Sequence, residues 1–582
     1  MSSDLVIGMA GSGGDGVVSA GESLTSAAAA AGYHVIMAKS FGSQIRGGES
    51  SCRVRLATRP IYNSGGALDV AVALNWSDFL KFGAELTVGA GTIVLHDTGD
   101  GAGDTPKLVG SQPGEILEVP ITQIAADNGG ERAKNIVVLG LLAGWFGIAG
   151  EAILKGIRKR FAKKGEAVID AAVRAFHAAV AYTAEHPLPQ PRQLAAPEVV
   201  TTKLLSDGNE MCAAGAIYAG CEFFGGYPIT PSTEIMQMLS KEIWNYGGVL
   251  LQAEDEIAGI GAAVGASFAG KKSMTATSGP GMSLKTEMLG LASIAELPLV
   301  IVNVQRGGPS TGMPTKSEQS DLFQAVFSAH GDVVRPVLAP TGVADTFSVT
   351  VEAFNMAERF QTPVVMLSDQ EIAQRKESID PIDTSGLSRC ERKRPGEADL
   401  KDYHRFRLVD DCISPISHPG MAGGSYQAAG IEHNEAGSPT ASGVLHERMT
   451  EKRFRKFDSL CDRSDLFLVE GDPNAALAMI SWGSSGGVCR EALELAQAEG
   501  LPVKLLVPYL VYPVIEAVYR DFFASMRAGL IVEQSYQGQL YRILRMYLDL
   551  PRGLELMART GANPFQPGEI VDRLRQLAKG LA

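Results

Sequence analysis

Short apolar runs alternate with helical stretches along most of this chain, and this alternation constrains its fold more than any other feature. In the middle of the chain the runs are GVLLQAE, KKSMTATS, LPLVIVNVQ and TPVVMLSD, each bounded by polar residues, glycine or proline. Strands separated by helices in this way are typical of a parallel α/β sheet. The same alternation occurs before residue 190 and again after residue 461. We therefore predict an α/β protein with three α/β units and mainly parallel sheets.

Changes in composition indicate where these units end. The stretch HPLPQPRQLAAP at residues 186–197 carries four prolines in twelve residues, which favours an extended connector. Residues 386–460 are charged, rich in glycine and poor in apolar runs. We therefore predict domains at 1–190, 201–385 and 461–582, a proline-rich linker at 191–200 and a wrapping linker at 386–460.

Charge and cysteine usage exclude several classes of protein. The formal net charge of −13 at pH 7 argues against a nucleic-acid binder, which needs a basic face. No apolar run reaches the length of about 18 residues that a membrane span needs, and the first residues do not resemble a signal peptide. The seven cysteines form no Cys-x-x-Cys pair. We therefore predict reduced thiols in a cytoplasmic protein, with no metal ligands and no iron–sulfur cluster of its own.

The segment GSGGDG near the start of the chain has the spacing of a dinucleotide-binding turn. Gly11, Gly13 and Gly16 match Gly-x-Gly-x-x-Gly between a predicted strand and a predicted helix. Such a turn lets backbone N–H groups approach an anion at the helix N-terminus. The acidic residue expected about twenty positions later, which would bind the ribose of NAD, is missing. A tight turn between strand and helix and a site for another phosphate-bearing partner both remain open.

A second glycine motif bears on thiamine diphosphate, whose enzymes bind Mg²⁺ and pyrophosphate through Gly-Asp-Gly and a later asparagine. Gly-Asp-Gly occurs at residues 14–16 and 99–101. Only the second has an asparagine, Asn128, at a suitable distance, and no predicted strand leads into it. We therefore predict that this chain carries no pyrophosphate site of its own.

Four loops of the central unit carry polar or glycine-rich sequence where strands meet helices. They are GGYPITPST at 225–233, the acidic triplet at 254–256, TSGPG at 277–281 and QRGGPSTG at 305–312. In a parallel α/β sheet such loops meet at the carboxyl edge of the strands, where ligands bind. Arg306 could bind a carboxylate in a fork, Thr230 could hydrogen-bond the same group, and Glu256 could exchange a proton with a ring nitrogen.

Each of these residues also has a purely structural interpretation. Thr230 and Pro231 suit the N-cap and the first position of a helix. Glu256 suits a first helical turn, and Arg306 suits a surface salt bridge. The helix after Glu256 is rich in glycine, which weakens helices by about 1 kcal/mol per residue relative to alanine. This composition predicts that a neighbouring element packs very close to that helix.

As a set, these central motifs resemble the alpha subunit of 2-oxoacid:ferredoxin oxidoreductases. The resemblance rests on YPITPS at 227–232, the small-residue helix from Glu256, TSGPG, and QRGGPSTGMPT at 305–315. ISWGSS at 480–485 and VEQSYQGQL at 532–540 are similar to the second domain of that subunit, although Ser535 stands where asparagine is commoner.

The N-terminal unit resembles the gamma subunit of the same family. The motifs are GSGGDG, RGGES at 46–50 and KNIVVLG at 134–140. The resemblance thus covers nearly the whole chain, in a fused gamma–alpha order. Residues 430–456 and the segment GPSTGMPTKSEQSDL are most similar to the 2-oxoglutarate branch.

The resemblance implies a gamma-like domain, a domain for the pyrimidine side of thiamine diphosphate and a transketolase C-terminal-like domain. It implies that thiamine diphosphate is shared with a beta subunit, which holds the pyrophosphate, Mg²⁺ and a 4Fe-4S cluster. Glu256 matches the catalytic residue at the pyrimidine ring nitrogen, and Thr230 and Arg306 match residues that bind the oxoacid carboxylate. Lys316 and Arg46 are candidates for a distal carboxylate. The remaining cofactor-binding candidates are Tyr227, Pro228, Ile229, Ser278 and Gly279.

The implied enzyme is active only with its beta subunit. It converts 2-oxoglutarate, coenzyme A and oxidised ferredoxin into succinyl-CoA, CO₂ and reduced ferredoxin, and in reverse it fixes CO₂. The implied partners are the beta subunit and ferredoxin, in a dimer of gamma–alpha/beta pairs, with no nucleic acid and no membrane. Three alternatives stay open: the same enzyme acting on pyruvate or a branched-chain 2-oxoacid, an NAD-binding oxidoreductase, and a non-catalytic scaffold subunit.

Overall fold

A computed structural model describes residues 2–42, 48–83, 85–98, 108, 112–561 and 564–581 of the chain. The chain divides into two structural units. The first comprises Met1–Asp207 and Gln374–Ile382, and the second comprises Gly208–Ala373 and Asp383–Ala582. A short segment from the middle of the sequence therefore belongs to the N-terminal unit.

The apolar runs of the first 207 residues form strands, and the longer stretches between them form helices. The elements are β1 (Asp4–Gly11), α1 (Val17–Ala30), β2 (His34–Phe41), β3 (Ser50–Ala57), β4 (Leu68–Ala73), α2 (Trp76–Lys81), β5 (Val88–Asp97), β6 (Glu115–Val119), α3 (Ile121–Asn128), α4 (Lys134–Phe146), α5 (Gly150–Phe161), α6 (Glu166–Glu185) and β7 (Leu204–Ser206).

The second unit begins with a run of alternating strands and helices. The elements are α7 (Gly208–Ala219), β8 (Phe223–Gly226), α8 (Thr233–Glu242), β9 (Val249–Gln252), α9 (Glu256–Phe268), β10 (Ser273–Thr277), α10 (Gly279–Leu284), α11 (Thr286–Ile294), β11 (Leu299–Gln305), α12 (Leu322–Phe327), β12 (Val337–Leu338), α13 (Val343–Phe360), β13 (Pro363–Asp369) and α14 (Gln370–Gln374).

The rest of the chain adds one strand to the first unit and a second sheet to the second unit. The elements are β14 (Lys376–Ile379), α15 (Glu397–Leu400), α16 (Gly443–Arg455), β15 (Phe467–Gly471), β16 (Leu477–Ser481), α17 (Ser484–Ala498), β17 (Val503–Pro508), β18 (Leu510–Tyr512), α18 (Glu516–Phe523), β19 (Ala528–Glu533), α19 (Gln539–Tyr547), β20 (Leu554–Ala558) and α20 (Pro567–Lys579).

The first unit contains a sheet of eight strands in the order β6-β5-β4-β1-β3-β2-β14-β7. The strands β1, β4, β5 and β6 are parallel, whereas β3 lies antiparallel between β1 and β2. β14 pairs antiparallel with β2, with Lys376 opposite Met37. Two strands from inside the predicted segment 201–385, β14 and β7, therefore complete the N-terminal sheet. Apolar side chains from the strands and from α1, α4 and α6, such as Ile7, Leu24, Leu139 and Phe176, form the core of this unit.

The second unit contains two further sheets. One has the order β18-β12-β13-β11-β10-β8-β9, and all of its pairs are parallel except the β12–β18 pair. The other has the order β15-β17-β16-β19-β20, and only β15 is antiparallel. The prediction of an α/β protein with mainly parallel sheets is confirmed. Both sheets of the second unit are mainly parallel, and the sheet of the first unit is mixed, with parallel pairing of β1, β4, β5 and β6 and antiparallel pairing of β3, β2, β14 and β7.

Residues 386–460, predicted as a wrapping linker, are anchored to the second unit by buried charges. Lys452, on α16, and Lys456, just after it, donate hydrogen bonds of 2.5 and 2.9 Å to the carboxylate of Glu296. All three side chains are buried. The sequence interpretation did not foresee the 13-residue helix α16 that carries Lys452.

None of the seven cysteines forms a disulfide, and five of them are buried. Within the described ranges, no helix is both long enough and apolar enough to cross a membrane.

Candidate active site

Glu256 is the first residue of α9, immediately after the loop that follows β9. The preceding residue, Asp255, is the N-cap, and its Oδ1 accepts the N–H of Ala258 at 2.7 Å. Glu256 itself is 8% exposed. Among the described residues, none donates a hydrogen bond to its carboxylate. This buried carboxylate can therefore accept a hydrogen bond from a ligand.

The glycine-rich turn before α10 packs directly against Glu256. A Cβ atom on Gly281 would collide with Oγ1 of Thr277 and lie 2.6 Å from Cγ of Glu256. Only glycine allows this close approach. The predicted motif TSGPG and the predicted catalytic glutamate are therefore in contact.

The small-residue helix α9 packs closely on β8 at one of its glycines. A Cβ atom on Gly259 would lie 3.0 Å from Cα of Gly226. Cβ atoms on Gly261 and Gly265 would meet nothing within 4 Å. The prediction of close packing is confirmed for Gly259, whereas at Gly261 and Gly265 no described residue of this chain comes close.

Arg306 follows β11 and connects two of the predicted loops. Its Nη1 donates a hydrogen bond of 2.7 Å to the main-chain oxygen of Thr230. The residue is 7% exposed, and its Nε has no partner in the described part of the chain. Burial lowers the pKa of Arg306, and the nearby carboxylate of Asp321 acts in the opposite direction. Arg306 is therefore not a surface residue, and its Nε can donate to a ligand.

The predicted helix start at Thr230 and Pro231 is wrong. The helix α8 begins at Thr233, with Ser232 at the N-cap position. The loop continues to Ser232 because its main-chain oxygens accept side-chain hydrogen bonds: from Arg306 at Thr230 and from Asn209, at 2.8 Å, at Pro231.

Asp321 lies between Arg306 and the glycine turn. Its Oδ2 accepts a hydrogen bond of 3.0 Å from Nδ2 of Asn303. A Cβ atom on Gly279 would lie 2.9 Å from the same oxygen. Burial raises the pKa of Asp321, while Asn303 and Arg306 act to lower it. Sequence reasoning missed this residue, because an aspartate before a short helix is most simply interpreted as an N-cap.

The other predicted site residues differ in their surroundings. Ser278 is fully buried, and its Oγ has no partner among the described residues. Tyr227 is 39% exposed, and Pro228 and Ile229 are half-buried. The main-chain oxygen of Lys316 accepts the N–H of Gly307 at 2.9 Å, which closes the loop after Arg306. Arg46 lies outside the described residues.

The two C-terminal motifs contact the segment that follows this loop. Oε1 of the fully buried Gln319 accepts hydrogen bonds from Oγ of Ser485 at 2.6 Å and from the N–H of Gln534 at 2.9 Å. Its Nε2 donates to the main-chain oxygen of Trp482 at 2.6 Å. ISWGSS and VEQSYQGQL therefore stabilise the position of the segment between Arg306 and Asp321.

Two family models match separate parts of the chain. Residues 214–452 match the model described as pyruvate flavodoxin/ferredoxin oxidoreductase, thiamine diP-bdg. Residues 6–182 match the model described as pyruvate ferredoxin/flavodoxin oxidoreductase. The 2-oxoacid:ferredoxin oxidoreductase 2, subunit alpha, of Aeropyrum pernix is 30% identical over 633 residues, which cover 98% of this chain and 97% of that protein.

The chain belongs to the 2-oxoacid:ferredoxin oxidoreductases. The 2-oxoglutarate synthase subunit KorA of Methanothermobacter marburgensis is 36% identical over 381 residues, 64% of this chain and 99% of that protein. A solved structure, the 2-oxoglutarate:ferredoxin oxidoreductase from Magnetococcus marinus with 2-oxoglutarate, coenzyme A and succinyl-CoA bound, has a TM-score of 0.93 and 37% identity, covering 99% of this chain and 100% of that one. The relatives are named as subunits, which indicates a multi-subunit oxidoreductase. The resemblance seen in the sequence is confirmed.

The side chains around Glu256 fit the pyrimidine side of thiamine diphosphate in this oxidoreductase subunit. The carboxylate of Glu256 can accept a hydrogen bond from a ring nitrogen. Oγ of Ser278 and Oδ1 of Asn303 are buried without a partner among the described residues. The described part of the chain contains no group of three or more histidine, cysteine, aspartate or glutamate side chains placed to hold a metal ion.

The N-terminal glycine turn of the subunit already contains its own carboxylate. Oδ2 of Asp15 accepts the N–H of Ser12 at 2.8 Å, and Oγ of Ser12 donates to Asp78 at 2.9 Å. Nζ of Lys134 lies 3.7 Å from Oδ1 of Asp15, so the turn carries charges of both signs. Residues 99–101 lie outside the described residues, and Asn128 lies at the end of α3, where its Nδ2 donates to the main-chain oxygen of Ile124 at 3.0 Å.

Proposed function

We propose that this chain is the gamma–alpha subunit of a 2-oxoglutarate:ferredoxin oxidoreductase that acylates coenzyme A. Its second unit forms the pyrimidine side of a thiamine diphosphate site, and a beta subunit completes the site with the pyrophosphate-binding residues, Mg²⁺ and a 4Fe-4S cluster. The reaction is 2-oxoglutarate, coenzyme A and oxidised ferredoxin to succinyl-CoA, CO₂ and reduced ferredoxin, and it is reversible.

The observation that carries this proposal is the surroundings of Glu256. The residue is 8% exposed, so little of its side chain meets water. Its carboxylate has no hydrogen-bond or ion-pair partner among the described residues, although Gly281 packs against its side chain. A ring nitrogen of the cofactor would supply a partner for this carboxylate.

Bound thiamine diphosphate supplies a nucleophilic carbon that adds to the 2-oxo carbon of the substrate. Glu256 holds or moves a proton at the pyrimidine ring nitrogen, which activates that carbon. Arg306 binds the carboxylate next to the 2-oxo group, with the Thr230 hydroxyl as a second donor. Lys316 and Arg46 stay candidates for the distal carboxylate of 2-oxoglutarate.

Exposed apolar side chains beside the site support the presence of a partner subunit. Tyr227 is 39% exposed, Ile257 45% and Leu284 51%. Each of them lies in or next to one of the loops that carry the site residues. Large apolar side chains in such positions are typical of surfaces that another protein covers.

The choice of 2-oxoglutarate rests on similarity along the whole chain. The Magnetococcus marinus enzyme, which contains 2-oxoglutarate, coenzyme A and succinyl-CoA, matches 99% of this chain at 37% identity. The KorA subunits, named for 2-oxoglutarate, are similar as well.

The experiment is a substrate panel on the complex of this chain with its beta partner, using a viologen dye as electron acceptor. We expect kcat/KM for 2-oxoglutarate to exceed that for pyruvate and for a branched-chain 2-oxoacid by at least about tenfold, with turnover dependent on coenzyme A and on thiamine diphosphate. A preference for pyruvate would overturn the assignment of substrate, and no turnover with any 2-oxoacid would overturn the assignment as an enzyme.

A further inference from the structure

Lys285 is a fully buried lysine at the end of α10, and it contacts the first residue of α9. Its Nζ donates a hydrogen bond of 2.8 Å to the main-chain oxygen of Glu256. The side chain is 0% exposed. Among the described residues this is the only hydrogen bond of the ammonium group, and no carboxylate oxygen lies within the 4.0 Å that defines an ion pair.

The burial of this charge does not serve stability. A buried ammonium without an ion-pair partner costs several kcal/mol, and an apolar side chain of the same size would avoid that cost. Burial lowers the pKa of Lys285 to about 8, although the carboxylates of Glu256 and Asp255 act to raise it. Its charge therefore calls for a functional explanation in the immediate surroundings.

The acidic groups near Lys285 lie at the start of α9. They are Glu256 and Asp255, and both act to raise the pKa of Lys285. Asp321 lies close to Gly279, at the start of α10. It accepts a hydrogen bond from Asn303, which is neutral.

Two contacts thus fix Glu256 from the segment 279–285. Gly281 packs against Cγ of its side chain, and Lys285 binds its main-chain oxygen. A residue that fixes the backbone of a catalytic group limits the misplacement that costs rate.

We propose that Lys285 is a positioning residue that holds Glu256 at the start of α9, where its carboxylate can meet the cofactor. The proposal rests on the function proposed above for Glu256. Lys285 would act through Glu256 and would touch neither substrate nor cofactor.

The test compares Lys285→Met, Lys285→Gln, Glu256→Gln and the double variant Lys285→Met/Glu256→Gln, each as full chain and as the complex with the beta partner. Lys285→Gln is the conservative variant, because it keeps a donor for the Glu256 oxygen. It also carries the test if Lys285→Met does not fold. A control, Lys241→Met, removes a lysine that lies exposed near the end of α8.

We expect the melting temperature of Lys285→Met to equal or exceed that of the wild type, because the cost of burying the charge is removed. The kcat of the Lys285→Met complex is expected to fall by at least about tenfold at an unchanged KM for the 2-oxoacid, because Glu256 is no longer held in position. In Lys285→Gln, which keeps a donor for the Glu256 oxygen, kcat should stay within about threefold of the wild type. In the Glu256→Gln background, Lys285→Met should change kcat by less than about twofold.

Wild-type kcat in Lys285→Met would overturn the proposal, as would a loss of kcat in Lys285→Gln as large as that in Lys285→Met, or an equal loss in the two backgrounds. So would a fall in melting temperature that accounts for the loss of activity. Failure of the proposed function would give a different result. If Glu256→Gln alone retains wild-type turnover, the function proposed for Glu256 is wrong, whatever the Lys285 variants show.

Discussion

Arg306 donates a hydrogen bond of 2.7 Å from its Nη1 to the main-chain oxygen of Thr230, 76 positions earlier in the chain. The bond joins the loop after β8 to the loop after β11 and leaves Nε of the buried guanidinium without a described partner. The side chain of Arg306 therefore holds the loop that carries Thr230 against the loop that follows β11.

Arg306→Ala is expected to raise KM for the 2-oxoacid by at least about tenfold, because a charge-assisted hydrogen bond to the substrate carboxylate is lost. Steady-state kinetics of the complex measure this effect. Arg448→Ala, which removes an exposed arginine on α16, is the control and should leave KM unchanged. An unchanged KM in Arg306→Ala would remove Arg306 from the substrate site.

Gly281→Ala is expected to lower kcat by about 100-fold, because the added Cβ would displace the side chain of Glu256. Overpacking should also lower the melting temperature. The control is Gly156→Ala on α5, where a Cβ atom meets nothing within 4 Å and the helix should gain up to about 1 kcal/mol in stability. Wild-type kcat in Gly281→Ala would show that the turn does not position Glu256.

Gln319→Leu is expected to lower the melting temperature by at least about 3 °C, because the hydroxyl of Ser485, the N–H of Gln534 and the oxygen of Trp482 would lose their hydrogen-bond partner. Thermal unfolding of the full chain measures this. Gln497→Leu, at an exposed position on α17, should change the melting temperature little. Equal effects of the two variants would contradict a structural role for Gln319.

Glu296→Gln is expected to destabilise the chain strongly, by about 3–5 kcal/mol, because it leaves the buried cations Lys452 and Lys456 without their carboxylate. Burial alone would raise the pKa of Glu296, but Lys452, Lys456 and Arg405 lower it well below its usual range. The stabilisation is therefore present above the unfolded pKa of about 4.3 and is lost as pH falls towards the lower folded pKa.

The measurement for Glu296 is melting temperature against pH. The difference between the wild type and Glu296→Gln should shrink below about pH 4, where Glu296 becomes protonated. It should also shrink towards pH 8, because burial lowers the pKa of Lys452 to about 8 and the lysines lose their charge more easily without Glu296. Glu447→Gln, on the exposed face of α16, is the control and should follow the wild type. A difference that does not depend on pH would contradict the buried charge cluster.

Local patterns in the sequence were sufficient to predict the fold class and the place of Glu256 in the fold. Apolar runs such as LPLVIVNVQ became parallel strands, because full burial of a strand leaves a simple sequence signal. Glu256 was predicted at a strand-to-helix junction, where polar residues meet at the carboxyl edge of a parallel sheet.

Features that depend on distant contacts were not predictable. The four residues of β14 join the N-terminal sheet through pairing with β2, more than 300 positions away, and so short a strand carries no pattern of its own. In the sequence Lys285 looks like an ordinary helical lysine, but in the structure the packing of α10 on α9 buries it. The helix start predicted at Thr230 was wrong because Arg306 and Asn209 bind the main-chain oxygens of that loop.

The most direct test is turnover of 2-oxoglutarate by the complex that carries Glu256→Ala, compared with the wild type and with Glu287→Ala, an exposed glutamate on α11. Glu256→Ala should lower kcat by at least about 100-fold at an unchanged melting temperature, because the general acid–base group at the cofactor ring is lost. Glu287→Ala should behave as the wild type. Wild-type kcat in Glu256→Ala would show that this chain does not supply the proton-handling side of the thiamine diphosphate site.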